Sequence, residues 1–274
     1  MGFQEILKAW DDNLRSDISE VVAEYPEENR LVPPMKKGDV IRVSSLSKMC
    51  PREEAICSKK GLVRQDTIGS QLSLIFRMGR AFEVAYRDDV LGNLGIAIGK
   101  WKCLDCGHQP EMMDGVPRYP RPKNCPKCKS KDFKYVEEFA LDKATMIGGS
   151  TDGFLFWNMD YAMLEMKTVN TRRFDMVKKK GPFEEHVDQI MAYMKLHGYK
   201  KGLIVYGHKD TGAELMFWID YDPKLAGYLF NKGVQLQEFF NEGTMPQKIC
   251  INAECPRAND CSVKELCFGE FNNQ

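Results

Sequence analysis

No run of about 18 consecutive apolar residues occurs in this 274-residue chain, so no membrane-spanning helix is expected. Excess charge of either sign is missing too. Lysine plus arginine (39) balances aspartate plus glutamate (39), so the whole-chain charge nominates no partner, and any nucleic-acid site has to be a local patch. The opening MGFQEILKAWDDNL lacks the apolar centre of a signal peptide, and Ile6 breaks the myristoylation pattern that Met-Gly begins. Neither export nor lipid anchoring is therefore expected. There is no P-loop, so any unwinding of nucleic acid falls to a helicase or recombination partner. Internal repeats and low-complexity tracts are absent as well.

What is present in quantity is cysteine, ten in all. Without an export signal, and in a chain this long, clustered cysteines read as metal ligands in a reducing, cytoplasmic compartment rather than as a disulfide framework. The rest of the composition, 43% apolar and 11% aromatic, is that of a soluble globular protein: one large domain, or a core with a small insertion.

Periodicity predicts a helix over 1–25, a linker at VPPMKKGD, and a helix within 41–61 capped by one of its serines. A long helix over 70–90 follows, broken only by Gly79. Residues 101–130 lose periodicity and gain Pro, Lys and Cys, as a small insertion would. Strands are expected in FALDKATMIGG, TDGFLFW and YAMLEMKT, with a turn at Asn158–Asp160. Next come a helix ended by Gly198, two further strands in KGLIVYG and AELMFWIDYD, and a helix over about 223–241. This order points to a mixed α/β or α+β core.

Cys103-x-x-Cys106 and Cys125-x-x-Cys128 are separated by 18 residues. Each CxxC turn aims two thiolates at one ion, and two such turns complete a tetrahedral, closed site, so structural Zn²⁺ is expected in a zinc-ribbon insertion.

LEMKT, residues 164–168, carries a carboxylate and a lysine two positions apart, a spacing also found at Asp132–Lys134 and Asp222–Lys224. In a strand such residues share a face, so Glu165 and Lys167 project together while Leu164 and Met166 enter the core. Asp152 lies on the preceding strand, where a hairpin brings it beside Glu165. Two carboxylates at a strand junction suit a hard divalent cation such as Mg²⁺, and a neighbouring lysine suits the charge that develops on a phosphate.

This Asp-x(n)-Glu-x-Lys pattern after GGSTDG resembles the PD-(D/E)XK nuclease superfamily. Gln189-x-x-x-Tyr193 on the following helix is similar to the QxxxY motif of RecB-type nucleases, and Gly79-x-x-x-Glu83 falls where that group has GxxxH, with Glu in place of His. The resemblance implies a restriction-endonuclease-like core, with a central mixed sheet flanked by helices. It also implies Mg²⁺ or Mn²⁺ on Asp152, Glu165, the Met166 carbonyl and Glu83, Lys167 in catalysis, and Gln189 and Tyr193 lining the site and the DNA path.

Cys50, in a Ser44-x-Leu46-x-x-x-Cys50-Pro51-Arg52 setting, together with C-terminal cysteines resembles the iron–sulfur RecB-family nucleases, the CRISPR-associated and AddB-like exonucleases. By that resemblance a [4Fe–4S] cluster staples the chain ends, on Cys50, Cys255, Cys261 and Cys267, with Cys255 preferred to Cys250 and Cys57 left as a buried thiol. The spacing Cys250-x4-Cys255-x5-Cys261-x5-Cys267 departs from that family's usual C-x2-C-x5-C, and a second zinc is the alternative occupant.

KTVNTRRFDMVKKK, residues 167–180, holds six basic residues against one acidic, and begins at Lys167. Arg172, Arg173, Lys178, Lys179 and Lys180 are therefore candidate DNA contacts. Phe174 is either a base-stacking ring or a core aromatic.

The expected organisation is 1–100 for N-terminal helices and the first part of the core, 101–135 for the zinc ribbon, 136–245 for the catalytic core and 246–274 for the cysteine-rich segment. The expected activity is metal-dependent hydrolysis of DNA ends or single strands in recombination, repair or phage DNA metabolism, in a bacterial or phage-infected cell. A structure-specific or restriction-like endonuclease is one alternative; a nucleic-acid-binding subunit of a helicase–nuclease complex is the other.

Overall fold

LEMKT lies inside a ten-residue strand, Asp160–Val169, in which every side chain from Ala162 to Met166 is buried. A strand covered on both faces belongs in the middle of a sheet, and the rest of the fold explains how it gets there. The computed structural model describes residues 28–68, 70–110 and 118–272, so the helix expected over 1–25 lies outside the described residues.

In chain order the elements are β1 (Glu28–Val32), β2 (Ile41–Arg42), α1 (Pro51–Lys60), β3 (Arg64–Ile68), α2 (Ser70–Glu83), β4 (Ala97–Cys103), β5 (Tyr119–Pro120), β6 (Phe133–Val136), β7 (Phe139–Asp142) and β8 (Ile147–Ser150). They continue with β9 (Gly153–Trp157), β10 (Asp160–Val169), α3 (Thr171–Lys180), α4 (Glu184–His197), β11 (Lys201–His208), β12 (Glu214–Asp220), α5 (Pro223–Glu242), α6 (Pro256–Asn259) and α7 (Lys264–Phe268).

The main sheet has the order β12-β11-β10-β9-β4-β5, with β6 also paired to β4. β10 runs antiparallel to β9 and parallel to β11. The parallel pair needs a crossover, and α3 and α4 supply it. A smaller sheet, β2-β8-β7, and the ladder β1-β3 stand apart from it. The fold is thus the expected mixed α/β class, with a central mixed sheet and flanking helices. Among the described residues, no helix is long and apolar enough to cross a membrane.

Between β9 and β10, Trp157 pairs with Asp160, leaving Asn158 and Met159 as a two-residue turn, both at positive φ (52° and 65°). Tight hairpins need that backbone hand, and this one sets the register that carries Asp152 towards Glu165.

Three local expectations are corrected. Gly79 does not interrupt its helix, which runs unbroken over Ser70–Glu83; a Cβ there would make only an ordinary contact, 3.5 Å from Thr168 Oγ1 on β10. The irregularity comes later, where Val84–Leu91 widens into a π-helical stretch. Second, α1 is not capped by a serine: Cys50 is its N-cap without a side-chain cap bond, and Pro51 starts the first turn. Third, FALDKATMIGG is a hairpin rather than one strand. Asp142 accepts from Ala144 N (3.1 Å) and Thr145 Oγ1 (2.8 Å), and these bonds fold the chain back between β7 and β8. The helix near the C-terminus spans Pro223–Glu242; its N-cap Asp222 accepts from Lys224 N at 2.8 Å, which gives that second acid-x-lysine match a capping role.

A small apolar cluster of Ile56, Cys57, Val263 and Phe271 joins α1 to the C-terminal segment. Buried Arg52 adds hydrogen bonds to the carbonyls of Pro246 (2.6 Å) and Phe271.

Candidate active site and metal centres

Glu165 is 0% exposed, an expensive position for a carboxylate. Lys167 Nζ donates to its Oε1, while its Oε2 is buried with no hydrogen-bond partner. Asp152, in the link between β8 and β9, accepts from Met166 N at 2.7 Å through Oδ2. The hairpin therefore brings Asp152 next to LEMKT as expected. Leu164 and Met166 are buried too.

Charge crowding shows in the titration of the group. Burial first, then the negative charge of Asp152, pushes Glu165 up to about 8. Burial and Asp152 likewise push Glu83 up to about 7, so Glu83 on α2 shares this field. Burial alone would lower Lys167, but the charges of Glu165 and Asp152 outweigh it and hold the ammonium above its ordinary value.

Gln189 and Tyr193 lie on one face of α4. The Tyr193 hydroxyl donates to Ser150 O at 2.6 Å, and Gln189 hydrogen-bonds to that hydroxyl. Burial, and then the charges of Glu165 and Asp152, raise the Tyr193 phenol above its usual range, so it stays a neutral donor.

Sequence reasoning missed Arg87. It sits in the π-helical stretch, 2% exposed, donating to Asp152 O (2.7 Å) and Asp88 Oδ1 (2.7 Å). Asp88 in turn accepts from Tyr135 N at 3.0 Å. The backbone of Asp152 is thus pinned from one side by Arg87, and its carboxylate from the other by Met166. The available signal was Glu83-x-x-x-Arg87, one helical turn on the same face. His186, bonded to Tyr206 Oη at 2.7 Å, was missed as well; burial lowers it to about 4, so it is neutral. Tyr206 is the ladder partner of Lys167.

The four central thiols, Cys103, Cys106, Cys125 and Cys128, lie with their sulfurs all within 4.8 Å of one another. Among the described residues no other group of three or more potential ligands converges so closely, the carboxylates included. Each knuckle closes on itself, Gly107 N donating to Cys103 O (3.0 Å) and Lys129 N to Cys125 O (2.9 Å). Gly107 and Lys129 both take positive φ (70° and 65°), as the turn requires. Four sulfurs so placed fit a tetrahedral ion. The turns hang on the β4–β6 ladder, Cys103 pairing with Phe133.

The outer cysteines surround a cavity of about 280 Å³. Cys50, Cys250, Cys261 and Cys267 line it. Cys255 is placed beside Cys250, their thiols sharing a hydrogen bond. Cys50 precedes Pro51 at the start of α1 and Cys255 precedes Pro256 at the start of α6, so each thiol lies beside the first-turn amides of its helix, Arg52 and Glu53 for Cys50 and Arg257 and Ala258 for Cys255. Thiols around a cavity, with amides beside them, suit a bound inorganic group with several sulfur ligands. Cys57 is fully buried among apolar neighbours.

The basic run is the end of β10 followed by α3, which Asn170 caps by accepting from Arg173 N at 3.0 Å. Phe174 and Val177 turn inward, and the Phe174 ring meets His208 at 4.8 Å, so of its two readings the core role is the one observed. Arg172, Lys178, Lys179 and Lys180 are exposed; Arg173, also exposed, pairs with Glu185 at 2.9 Å and covers the Phe183 ring.

No protein-family model and no curated protein matches the chain. Among solved structures, the crystal structure of SSO0001 aligns at 19% identity and TM-score 0.36, covering 86% of this chain and 89% of that one. The alkaline exonuclease LHK-Exo from Laribacter hongkongensis aligns at 14% identity and TM-score 0.41. Its complex with dAMP gives 14% and 0.44, and both LHK-Exo structures cover 73% of this chain and 87% of theirs. Similarity at this level leaves the chemistry to be argued from the residues of the chain itself.

Proposed function

We propose that this chain is a divalent-metal-dependent deoxyribonuclease, working as an exonuclease on DNA ends or single strands. The observation that carries the reading is Glu165: a fully buried carboxylate with one unpartnered oxygen, beside Asp152 and Lys167 at the centre of the sheet. A hard cation there would satisfy the orphaned oxygen and offset the burial, and then the repulsion, that raise Glu83 and Glu165. Asp152, Glu165, the Met166 carbonyl and Glu83 would hold Mg²⁺ or Mn²⁺, which supplies positive charge to the scissile phosphate and acidity to an attacking water.

The protein's own groups do the rest. Met166 N–H and Arg87 fix Asp152. Lys167, protonated across the working range, faces the negative charge that grows on the phosphate. Tyr193 and Gln189 position the strand beside it. The central thiols, closed around one ion, give Zn²⁺ a structural role. A [4Fe–4S] cluster on Cys50, Cys261, Cys267 and one of the Cys250–Cys255 pair would staple the chain ends.

The test is cleavage of 5′- and 3′-labelled linear, circular and single-stranded DNA by wild type and Lys167→Ala, with Mg²⁺ or Mn²⁺. Wild type should shorten linear and single-stranded DNA from an end, and the variant should lose roughly 10²–10³ in rate. Cutting of closed circles would instead make it an endonuclease. Equal activity of the two proteins would sink the site, and a wild type inert on every substrate would leave a binding subunit that awaits a helicase partner.

A further inference from the structure

A groove of about 1110 Å³ reaches Ser150, close in sequence to Asp152, and Gln189 and Tyr193 form part of its wall. Small-molecule sites occupy roughly 300–1,000 Å³, so this space suits a length of polymer. Its charge is simple to read. Asp39 accepts from Lys36 N at 2.8 Å, and Glu54 is held by both Arg64 terminal nitrogens at 2.7 Å. Arg42 is exposed and its guanidinium has no partner among the described residues, so it is the cation the groove can offer a phosphate, opposed on the same lining by the exposed Asp39 carboxylate.

Phe139 stands in the same wall, 59% exposed. It pairs across the β7–β8 ladder with Ser150, whose carbonyl holds Tyr193 and which lies two residues before Asp152. Gly148 and Gly149 lie between. A Cβ on Gly148 would be 3.1 Å from the Phe139 ring, and one on Gly149 would be 3.0 Å from the Tyr193 hydroxyl. The glycines thus keep room for the ring and the phenol, and leave bare backbone where a chain can approach closely.

We propose that this groove binds the single strand delivered to the acidic centre, with Phe139 stacking on an unpaired base and Arg42 contacting a phosphate. The proposal rests on the nuclease reading for its direction, and on the groove for its residues. Base faces in a duplex are covered by their neighbours, so a lone exposed ring selects single strands.

Fluorescence anisotropy with a labelled oligonucleotide, single-stranded or annealed, in Ca²⁺ without Mg²⁺, tests it. Phe139→Ala should weaken single-strand binding about tenfold, Phe139→Trp should restore it, and duplex affinity should hardly move. Arg42→Ala should weaken the single strand and lower its salt slope by roughly one unit. Unchanged single-strand affinity in both alanine variants, or equal losses on the duplex, would overturn the groove. A wild type that binds single strands through Phe139 yet cuts nothing would sink the nuclease reading alone. Cleavage that depends on Lys167 while Phe139→Ala binds normally would sink the groove alone.

Discussion

The chain holds two groups of cysteines that differ in how they are built. The inner four come from two short turns on one ladder, and their sulfurs converge within 4.8 Å. The outer group comes from opposite ends of the sequence and rings a cavity of about 280 Å³. Sulfurs gathered by local turns are poised for a single ion, whereas sulfurs spread round a cavity leave space for a larger group. The inner site organises its own loop. Beside the outer one, the Arg52 hydrogen bonds and the small cluster around Phe271 already join α1 to the C-terminal segment.

The largest expected effect lies at the inner site. Cys125→Ser should remove one zinc per chain and, with it, binding energy on the order of 10 kcal/mol that folds the knuckles. Amides of the Lys100–Cys103 and Phe133–Val136 ladder should lose hydrogen-exchange protection, while those of β10 and β11 keep theirs. Metal analysis and exchange mass spectrometry check this. A ladder that stays protected without zinc would make the two sites alike, each merely decorating a self-sufficient fold.

A second experiment asks which thiols serve the outer site. Anaerobically purified protein should be brown, and Cys267→Ala and Cys250→Ala should each lose the iron. Cys255→Ala should keep most of it, because Cys255 bonds to Cys250 and does not itself line the cavity. Iron analysis of the three variants decides the point. Loss of iron in Cys255→Ala with retention in Cys250→Ala would restore the ligand set preferred from sequence, and colourless wild type carrying a second zinc would remove the cluster altogether.

What could be read from sequence follows the same local-versus-distant divide. CxxC spacing, the alternation in LEMKT and the i to i+4 pair Gln189–Tyr193 are short-range patterns with direct geometric meaning: the four thiols converge, Glu165 and Lys167 meet on one face, and Gln189 reaches Tyr193, although Glu165 is as buried as Leu164 and Met166 on either side of it. The hairpin between β9 and β10 carries Asp152 into range because a two-residue turn leaves no freedom of register. Arg87 was hidden for the opposite reason: its partner is a backbone carbonyl 65 residues away, and a carbonyl has no residue type to signal it. The chain reversal at 143–146 was hidden because Met146, not glycine, takes the positive φ of 55°. The serine cap failed because Pro51 opens the helix, which leaves Cys50 and not a serine at the N-cap.

The smallest effect separates a ligand from a bystander within the outer group. Cys57 is as buried as any residue in the chain, and burial first among its influences raises its thiol above the ordinary value, which suppresses the thiolate that metal binding and alkylation require. Its neighbours are Ile56, Val263 and Phe271, with Ser262 close enough to hydrogen-bond. Cys57→Ala should therefore leave iron and zinc contents unchanged and lower stability by about 1 kcal/mol, the effect of removing one methyl-sized group from a packed site. Native Cys57 should also resist iodoacetamide until denaturant is added. Loss of iron in this variant would move Cys57 into the ligand set, and would mean that the outer site draws its thiols from the apolar cluster as well as from the cavity wall.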